Sequence, residues 1–277
     1  MKLKRQILNA LDRMAVTQAV IRAPEMQRMW DLSMQVLPDL TDHYATVTVD
    51  REAQLRLRLL LCAQALFMHR VYAALIAQGQ AVTSWVDVGD SDGAARQLFM
   101  RCFPEAAGVQ TLGVNLEQEA VDMIRRKGLA AECMNAMDLH RRGYGCDLVS
   151  VFETLEHMPN PLGFLESMHQ VVGTRLIISV PLIIASRVGL LYQTAKWEAH
   201  KEPRYSNNHV FELSPDDWTK LFRHTGWSID DEWSVRQYPE KGLLKQLMQY
   251  TWRKIGFEGY WFISLREDTT FSSRFVK

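Results

Sequence analysis

The stretch "CDLVSVFETLEHMPNP", residues 146–161, brings an apolar strand and a group of ionisable side chains together. The run "CDLVSVF" has the length and apolar character of a strand that is covered on both faces of a parallel sheet. Glu153, Glu156 and His157 follow it at i, i+3 and i+4. This spacing fits a metal site, an acid–base site, or the first turn of a helix whose acids complement the helix dipole.

Strand and helix patterns alternate on both sides of this stretch, which favours βαβ units and a mostly parallel sheet. The segments with strand character are "TSWVDVG", "VQTLGVNL", "AAECMNA" and "TRLIISVP", with "WSIDDEWSVRQYP" and "GYWFISLRED" closing the chain. The helical segments between them are "AARQLFMRCF", "EQEAVDMIRRKG", "PLGFLESMHQVV" and "SPDDWTKLFRHTGW". The last of these carries a Ser N-cap, Pro at its first position and acids in its first turn. We therefore predict an α/β fold.

The first 82 residues have helical periodicity and almost no strand character, as in "REAQLRLRLLLCAQALFMHRVYAALIAQ". We predict an N-terminal helical extension at 1–82 and a main domain at 83–277. Three roles are open for the extension: covering a cleft, forming an oligomer interface, or binding a partner. Residues 183–208 interrupt the regular pattern and form a predicted lid or insertion. An alternative is a peripheral membrane contact, for which Arg187, Lys196 and Lys201 would face lipid headgroups.

The composition limits the classes of partner and compartment. Lys and Arg total 32, as do Asp and Glu, so zero net charge argues against an extended nucleic-acid surface. The four cysteines show no C-x-x-C pair and are expected to be reduced core residues: Cys62, Cys102, Cys133 and Cys146. The apolar run "RLLLCAQALFM" is short for a transmembrane helix, and the basic N-terminus lacks the pattern of a signal peptide. We predict a cytoplasmic protein with no transmembrane segment.

The segment "VDVGDSDG", residues 86–93, has the form strand, glycine turn, helix, which brings backbone N–H groups close to a ligand. It carries Asp87, Gly89 and Gly93, with Ser91 between the two glycines. Neither G-x-G-x-x-G nor the P-loop pattern is present. The next two predicted strands end in polar residues: Asn115 on one, and Asn135 and Asp138 on the other. Ligands bind at this carboxyl edge in doubly wound sheets.

With these motifs, residues 83–270 resemble the class I S-adenosylmethionine-dependent methyltransferases. The resemblance implies a Rossmann-like, doubly wound, mostly parallel seven-stranded sheet with S-adenosylmethionine as cofactor. Carried over, the cofactor-binding positions are Asp87, Gly89, Ser91 and Gly93 for the methionine part, Asn115 for the ribose, Leu116, Asn135, Ala136 and Asp138 around the adenine, and Phe152. The chain departs from the family where Ser91 replaces the middle glycine, and where asparagines stand at two positions that usually hold acids.

The E-x-x-E-H segment is similar to that of the ubiquinone-pathway O-methyltransferases. Together with "HVFE" at 209–212 it resembles the metal-dependent small-RNA 3′-terminal 2′-O-methyltransferases. The second resemblance implies that Glu153, Glu156, His157 and His209 hold a divalent ion. A mixed set of carboxylates and imidazoles suits Zn²⁺, Mn²⁺ or Fe²⁺, and suits Mg²⁺ less well. Without a metal, His157 or His209 is the candidate general base.

We therefore predict a methyltransferase that uses S-adenosylmethionine to methylate a hydroxyl group. The expected acceptor is a sugar, a glycan or another small polar metabolite, since the C-terminal third is rich in tryptophan: Trp197, Trp218, Trp227 and Trp233. Two alternatives stay open. One is a metal-dependent RNA-end 2′-O-methyltransferase, and the other is a non-catalytic binding or scaffold protein that retains the fold.

Overall fold

The computed structural model describes residues 2–44, 48–188, 209–236, 238, 245–246, 249–250 and 258–275. Its α-helices are α1 (Lys2–Arg22), α2 (Pro24–Val36), α3 (Arg51–Ala77), α4 (Ala94–Cys102), α5 (Gln118–Arg126), α6 (Pro161–Ser167) and α7 (Pro215–His224). Its strands are β1 (Ser84–Val88), β2 (Gln110–Asn115), β3 (Ala131–Cys133), β4 (Cys146–Phe152), β5 (Val172–Leu182), β6 (Arg187–Val188), β7 (Phe211–Glu212), β8 (Trp227–Arg236) and β9 (Gly259–Glu267).

Seven strands form one sheet in the order β3-β2-β1-β4-β5-β9-β8, and β6 pairs with β7 separately. Strands β1 to β5 run parallel to one another, while β9 runs antiparallel to both of its neighbours, β5 and β8. The chain order reverses between β1 and β4, where the sheet grows first in one direction and then in the other. That is the position at which doubly wound sheets bind ligands beyond the carboxyl ends of their strands. The predicted Rossmann-like, mostly parallel seven-stranded sheet is confirmed.

Successive side chains of the central strands point to opposite faces of the sheet, and each face has its own helical layer. On one face, Trp85, Leu148 and Phe262 share a hydrophobic cluster with residues of helices α1 to α4. On the other, Val86 and Val149 pack with residues of α6 and α7. The apolar pattern of β4 follows from this arrangement because both of its faces are covered.

Helix α3 lies against the sheet, so the hydrophobic core crosses the predicted boundary at residue 82. The ring centroid of Phe67 lies 5.7 Å from that of Phe262 on β9. Asp50 caps the helix by accepting hydrogen bonds from the N–H groups of Glu52 and Ala53. The helix therefore begins at a strong cap and is held along its length by burial.

By length and composition, α3 is the described helix that could cross a membrane. The expectation that this apolar run is too short is wrong, since it lies within a helix of 27 residues. Of its most apolar window, 67% is buried inside the protein. The core helix of a soluble protein passes the same test, so this observation is weak evidence for a membrane span.

Two other expectations change when the fold is known. Trp218 and Trp227 are buried in the core, which removes them as a sugar-binding surface. Of the predicted lid or insertion, residues 189–208 lie outside the described part of the chain, together with Lys196, Trp197 and Lys201. Arg187 is described, and it pairs with Glu212 across the short β6–β7 ladder.

Replacing Phe67 with Ala tests whether the N-terminal helices belong to the cooperative core. Phe67 is fully buried, so its loss should lower the free energy of unfolding by about 3–5 kcal/mol. Urea unfolding followed by circular dichroism measures the change. Ile76→Ala on the same helix is the matched control, because Ile76 is 45% exposed and its loss should cost about 1 kcal/mol or less. Equal, small effects would show that α3 contributes little to the core.

Candidate active site

The loop after β1 and the loop after β4 touch at the point where the sheet order reverses. Gly89 has φ +77°, and a Cβ built on it would lie 2.2 Å from Oγ1 of Thr154. Such a contact is too close for any side chain, and the positive φ is itself unfavourable for other residues. Glycine is therefore required here both by its backbone conformation and by the approach of the β4 loop.

Gly89 separates two cavities, and it is the residue that lines both of them. The larger cavity, of about 330 Å³, lies between the ends of β2, β3 and the segment after β4. The smaller, of about 80 Å³, lies between the glycine loop and helix α3. A ligand that spans both cavities must pass over the backbone of Gly89.

The larger cavity collects most of the residues predicted to hold the ribose and adenine of the cofactor. Asn115, Leu116, Asn135 and Ala136 all line it. Leu116 is 70% exposed and stands at its open side. Apolar side chains complete the lining, mainly Val88, Val114, Met134, Met137, Met158 and Phe164. This apolar slot with two amides has the character of a small-molecule site.

The two asparagines in the larger cavity use their amide oxygens locally. Oδ1 of Asn115 accepts from the N–H of Glu117 at 3.1 Å, and Oδ1 of Asn135 accepts from the N–H of Met137 at 3.0 Å. The amide NH2 groups are therefore the donors available to a ligand. Each amide oxygen has a second lone pair and can still accept from a ligand.

The smaller cavity is lined by Asp87, Gly89 and Ser91, three of the four residues predicted for the methionine part of the cofactor, and by Phe152. Two further predicted residues lie elsewhere. Gly93 is the N-cap of α4, with φ +79°. Asp138 lies on a 3-10 turn, outside the larger cavity, where it pairs with Arg141 at 3.3 Å.

The N-terminal region supplies the opposite wall of the smaller cavity. His43, Tyr44 and Gln64 line it together with leucines of α3. Nδ1 of His43 lies 2.8 Å from Oδ1 of Asp92, and both side chains are buried. This pair holds the segment before α3 against the glycine loop.

Two of the residues that line the smaller cavity are aspartic acids, Asp87 and Asp90. Burial, together with the neighbouring carboxyl group of Asp90, raises the pKa of Asp87 well above its ordinary value. Oδ1 of Asp87 accepts from the hydroxyl of Ser150, and Asp90 pairs with the fully buried Arg96. The lining of the cavity is thus rich in carboxyl groups, and the guanidinium of Arg96 is enclosed behind them.

Glu153 follows β4 directly and takes an unusual backbone conformation, with φ +46°. Its N–H donates to the carbonyl of Ser179 at 3.0 Å, and its Oε1 accepts from Oγ of Ser179 at 2.9 Å. A left-handed conformation at a non-glycine residue costs about 1–3 kcal/mol and is common at functional sites. Glu153 lines the smaller cavity.

Leu155–His157 form a 3-10 turn and not the first turn of a helix, which was one of the three interpretations of this segment. Helix α6 begins four residues later at Pro161, where the predicted helix "PLGFLESMHQVV" begins. Glu156 is fully buried, and neither of its carboxyl oxygens has a hydrogen-bond partner among the described residues. Burial and the nearby Glu153 raise its pKa well above the ordinary value. An acid in this state needs a proton, a cation or a donor from a ligand.

His157 and His209 meet beside this carboxyl group. Their ring centroids are 4.6 Å apart at an interplanar angle of 86°. One ligand atom from each of Glu156, His157 and His209 lies within 4.8 Å of the others, a spacing that can hold a metal ion. Glu153, the fourth predicted ligand, is not part of this group.

Two contacts fix His209 relative to the 3-10 turn. The N–H of Val210 donates to the carbonyl of Glu156 at 2.8 Å. Nδ1 of His209 lies 2.8 Å from Oε1 of Glu212, which also pairs with Arg187. A carboxylate on one ring nitrogen orients the imidazole and directs its other nitrogen toward a proton or a metal.

Sequence reasoning missed several residues of the site. His43, Tyr44 and Gln64 precede the strand–helix pattern, and Ser179 and Glu212 act through their neighbours. One signal was present for Gln64, the polar residue within the apolar run "LLLCAQALFM". Nothing in the local spacing indicated the others.

The buried carboxyl group of Glu153 predicts a pH-dependent stability. Burial raises the pKa of Glu153 from 4.5 to about 8, despite the opposing hydrogen bond from Ser179. Between these values the folded chain binds more protons than the unfolded chain, so the free energy of unfolding falls as pH rises. In EDTA, Glu153→Gln should make this fall shallower by at most about 1.4 kcal/mol per pH unit.

Urea unfolding from about pH 6 to about pH 9 measures the slope. The exposed Glu166→Gln on α6 is the matched control and should keep the slope of the original protein. A slope in Glu153→Gln equal to that of the control would contradict the raised pKa.

Comparison with known proteins gives a family and a fold. A family model described as "Methyltransferase domain" matches residues 57–232, more than half of the chain. None of the curated proteins matches the sequence.

Two solved structures share the fold. One is the 1,6-didemethyltoxoflavin-N1-methyltransferase of Burkholderia thailandensis, with bound 1,6-didemethyltoxoflavin and S-adenosylhomocysteine. It has a TM-score of 0.51 and 15% identity over 76% of this chain and 78% of that chain. The other is the O-methyltransferase from a trans-AT PKS multienzyme of Brevibacillus brevis, in complex with S-adenosyl-L-homocysteine. It has a TM-score of 0.53 and 12% identity over 88% of this chain and 82% of that chain.

Three observations agree on the family. They are the seven-stranded sheet with one antiparallel strand, the glycine loop at the reversal of strand order, and the match to the family model. The chain therefore belongs to the methyltransferase-domain family, in the class I S-adenosylmethionine-dependent superfamily that its motifs resemble.

Proposed function

We propose that this protein transfers the methyl group of S-adenosylmethionine to a hydroxyl oxygen of a small polar metabolite. The observation that carries the proposal is the group formed by Glu156, His157 and His209 at the carboxyl edge of the sheet. It combines an unpartnered buried carboxyl group with two imidazoles, next to the paired cavities. This arrangement suits the removal of a proton from an acceptor.

The paired cavities fit S-adenosylmethionine by their size, polarity and division. The larger one is apolar with amide donors, as suits an adenosine, and the smaller one is polar and acidic, as suits an amino acid. Because Gly89 has no side chain, a ligand can extend over its backbone from the larger cavity to the smaller one. When bound, S-adenosylmethionine supplies an electrophilic methyl group, and the protein's part is to position the acceptor.

Methylation of a hydroxyl group releases one proton, and His209 is the residue that we propose receives it. With a proton on Nδ1 directed at Glu212, the basic nitrogen of the neutral ring is Nε2. Glu212 stabilises the imidazolium that forms when Nε2 takes a proton. His157 lies against the same ring and offers a second route for the proton.

The same three residues also fit a divalent metal ion. Glu156 would contribute a carboxylate whose oxygens have no described partner, and His157 and His209 would contribute imidazole nitrogens. A bound ion would offset the buried negative charge and lower the pKa of an acceptor hydroxyl. A mixed oxygen and nitrogen set of this kind suits Zn²⁺, Mn²⁺ or Fe²⁺ better than Mg²⁺.

Replacing Gly89 with Ala tests the donor site. The new methyl group would meet Thr154, so the variant should bind S-adenosylhomocysteine at least about tenfold more weakly in isothermal titration calorimetry. Gly79→Ala is the matched control, since Gly79 has the same φ of +77° but nothing within 4 Å of its Cβ position. It should keep the affinity of the original protein.

Absence of binding by the original protein would favour the scaffold alternative. Equal affinities for the two variants would show that the approach to Thr154 does not shape the donor site.

Replacing Glu156 with Gln or His209 with Ala tests the acceptor side. Each should lower the rate of methylation at least about 100-fold, with the affinity for S-adenosylhomocysteine unchanged. Both variants should also lose the metal that the original protein retains, measured by elemental analysis after incubation with Mn²⁺ or Zn²⁺. Glu153→Gln should retain the ion, because Glu153 lies outside the three-residue group.

Mass spectrometry of products from a panel of methyl glycosides, small phenols, small amines and an RNA oligonucleotide identifies the acceptor. Methylation of the RNA 3′ end alone would favour the RNA-end alternative. Methylation of amines alone would overturn the assignment to a hydroxyl oxygen.

A further inference from the structure

We infer that Gln64 of helix α3 binds the amino-acid end of the methyl donor, through its carboxylate. This inference rests on the proposed function and assigns a binding residue to the N-terminal helical region. Gln64 lines the smaller cavity, which is separated from the larger one by Gly89.

Gln64 is a buried polar residue without a described partner. Gln64 is 5% exposed, and its side chain makes no hydrogen bond with any described residue. The other buried polar side chain of α3, Arg58, donates to the carbonyl of Ser33 at 2.7 Å. Since buried amides are nearly always hydrogen-bonded, the partner of Gln64 is expected from the contents of the cavity that it lines, either water or a ligand that displaces it.

The position of Gln64 on α3 directs it to the cavity. Leu57, Leu60, Leu61 and Gln64 all line the cavity, and their spacing of i, i+3, i+4 and i+7 places them on one helix face. An apolar residue would continue this face. Gln64 therefore places an amide, in the position of a leucine, where the helix borders the cavity.

The charges around the cavity explain what the amide would bind. Asp87, Asp90 and Glu153 line it and provide carboxyl groups for an ammonium group. None of the described residues that line it is Lys or Arg, and His43 lies against Asp92. The carboxylate of an amino acid therefore needs a neutral donor, and the amide NH2 of Gln64 is such a group.

The volume of the cavity agrees with this assignment. At about 80 Å³ it is several times the roughly 10–15 Å³ that one water requires. A short zwitterionic chain of a few heavy atoms fits this space, whereas a nucleoside requires the larger cavity.

A pair of ligands separates this role from a general effect on the pocket. S-adenosylhomocysteine carries the amino-acid end, and 5′-methylthioadenosine has the same nucleoside and thioether sulfur without it. In isothermal titration calorimetry, Gln64→Met should weaken binding of S-adenosylhomocysteine at least about tenfold. The affinity for 5′-methylthioadenosine should stay within about twofold of that of the original protein.

Gln64→Glu keeps the size of the side chain and adds a negative charge when ionised. It should weaken S-adenosylhomocysteine more than Gln64→Met does, with 5′-methylthioadenosine again unaffected. Gln78→Met, at the exposed end of α3, is the matched control and should bind both ligands normally.

The outcomes separate this inference from the proposed function. Equal weakening of both ligands in Gln64→Met, with an unchanged melting temperature, would mean that Gln64 only shapes the pocket. No change for either ligand would also overturn the inference, while the proposed function would stand. Failure of the original protein to bind both ligands would overturn the two together.

Discussion

The close approach of Gly89 and Thr154 is the constraint on which the rest of the site depends. Strands β1 and β4 are parallel neighbours, so the loops that follow them leave the sheet at the same edge. At Gly89 the two loops are so close that a Cβ has no room. The contact divides the space above the sheet into two cavities. It also fixes the distance from the donor site to the residues after β4.

The residues after β4 have features that lower the stability of the fold. The strand itself is buried on both faces and is held by two neighbours. Its continuation carries two acids, Glu153 with a strained backbone and Glu156 without a hydrogen-bond partner among the described residues. Neither feature stabilises the fold. Departures of this kind, set in an otherwise consistent structure, are expected at functional sites.

The sequence predicted the parts of the structure that depend on local patterns. Alternating strands and helices indicated the sheet, and the strand–glycine–helix pattern placed Asp87 and Gly89 at its edge. Asp138 lies on a 3-10 turn and does not line the larger cavity, a detail that spacing does not reveal. The spacing also grouped Glu153 with the other candidate ligands, whereas the close group in the structure consists of Glu156, His157 and His209.

The contribution of the N-terminal helices could not be predicted from local patterns. Gln64 lies in the middle of α3 and Gly89 follows the next strand, β1. The two line the same cavity because α3 packs across the face of the sheet. One consequence concerns linkage between folding and binding. A ligand in the smaller cavity contacts α3 and the glycine loop at once, so it binds only to chains in which α3 is docked. Under the proposed binding mode the cofactor occupies this cavity, so its binding stabilises the docked form of α3 and a higher cofactor concentration favours the complete N-terminal layer.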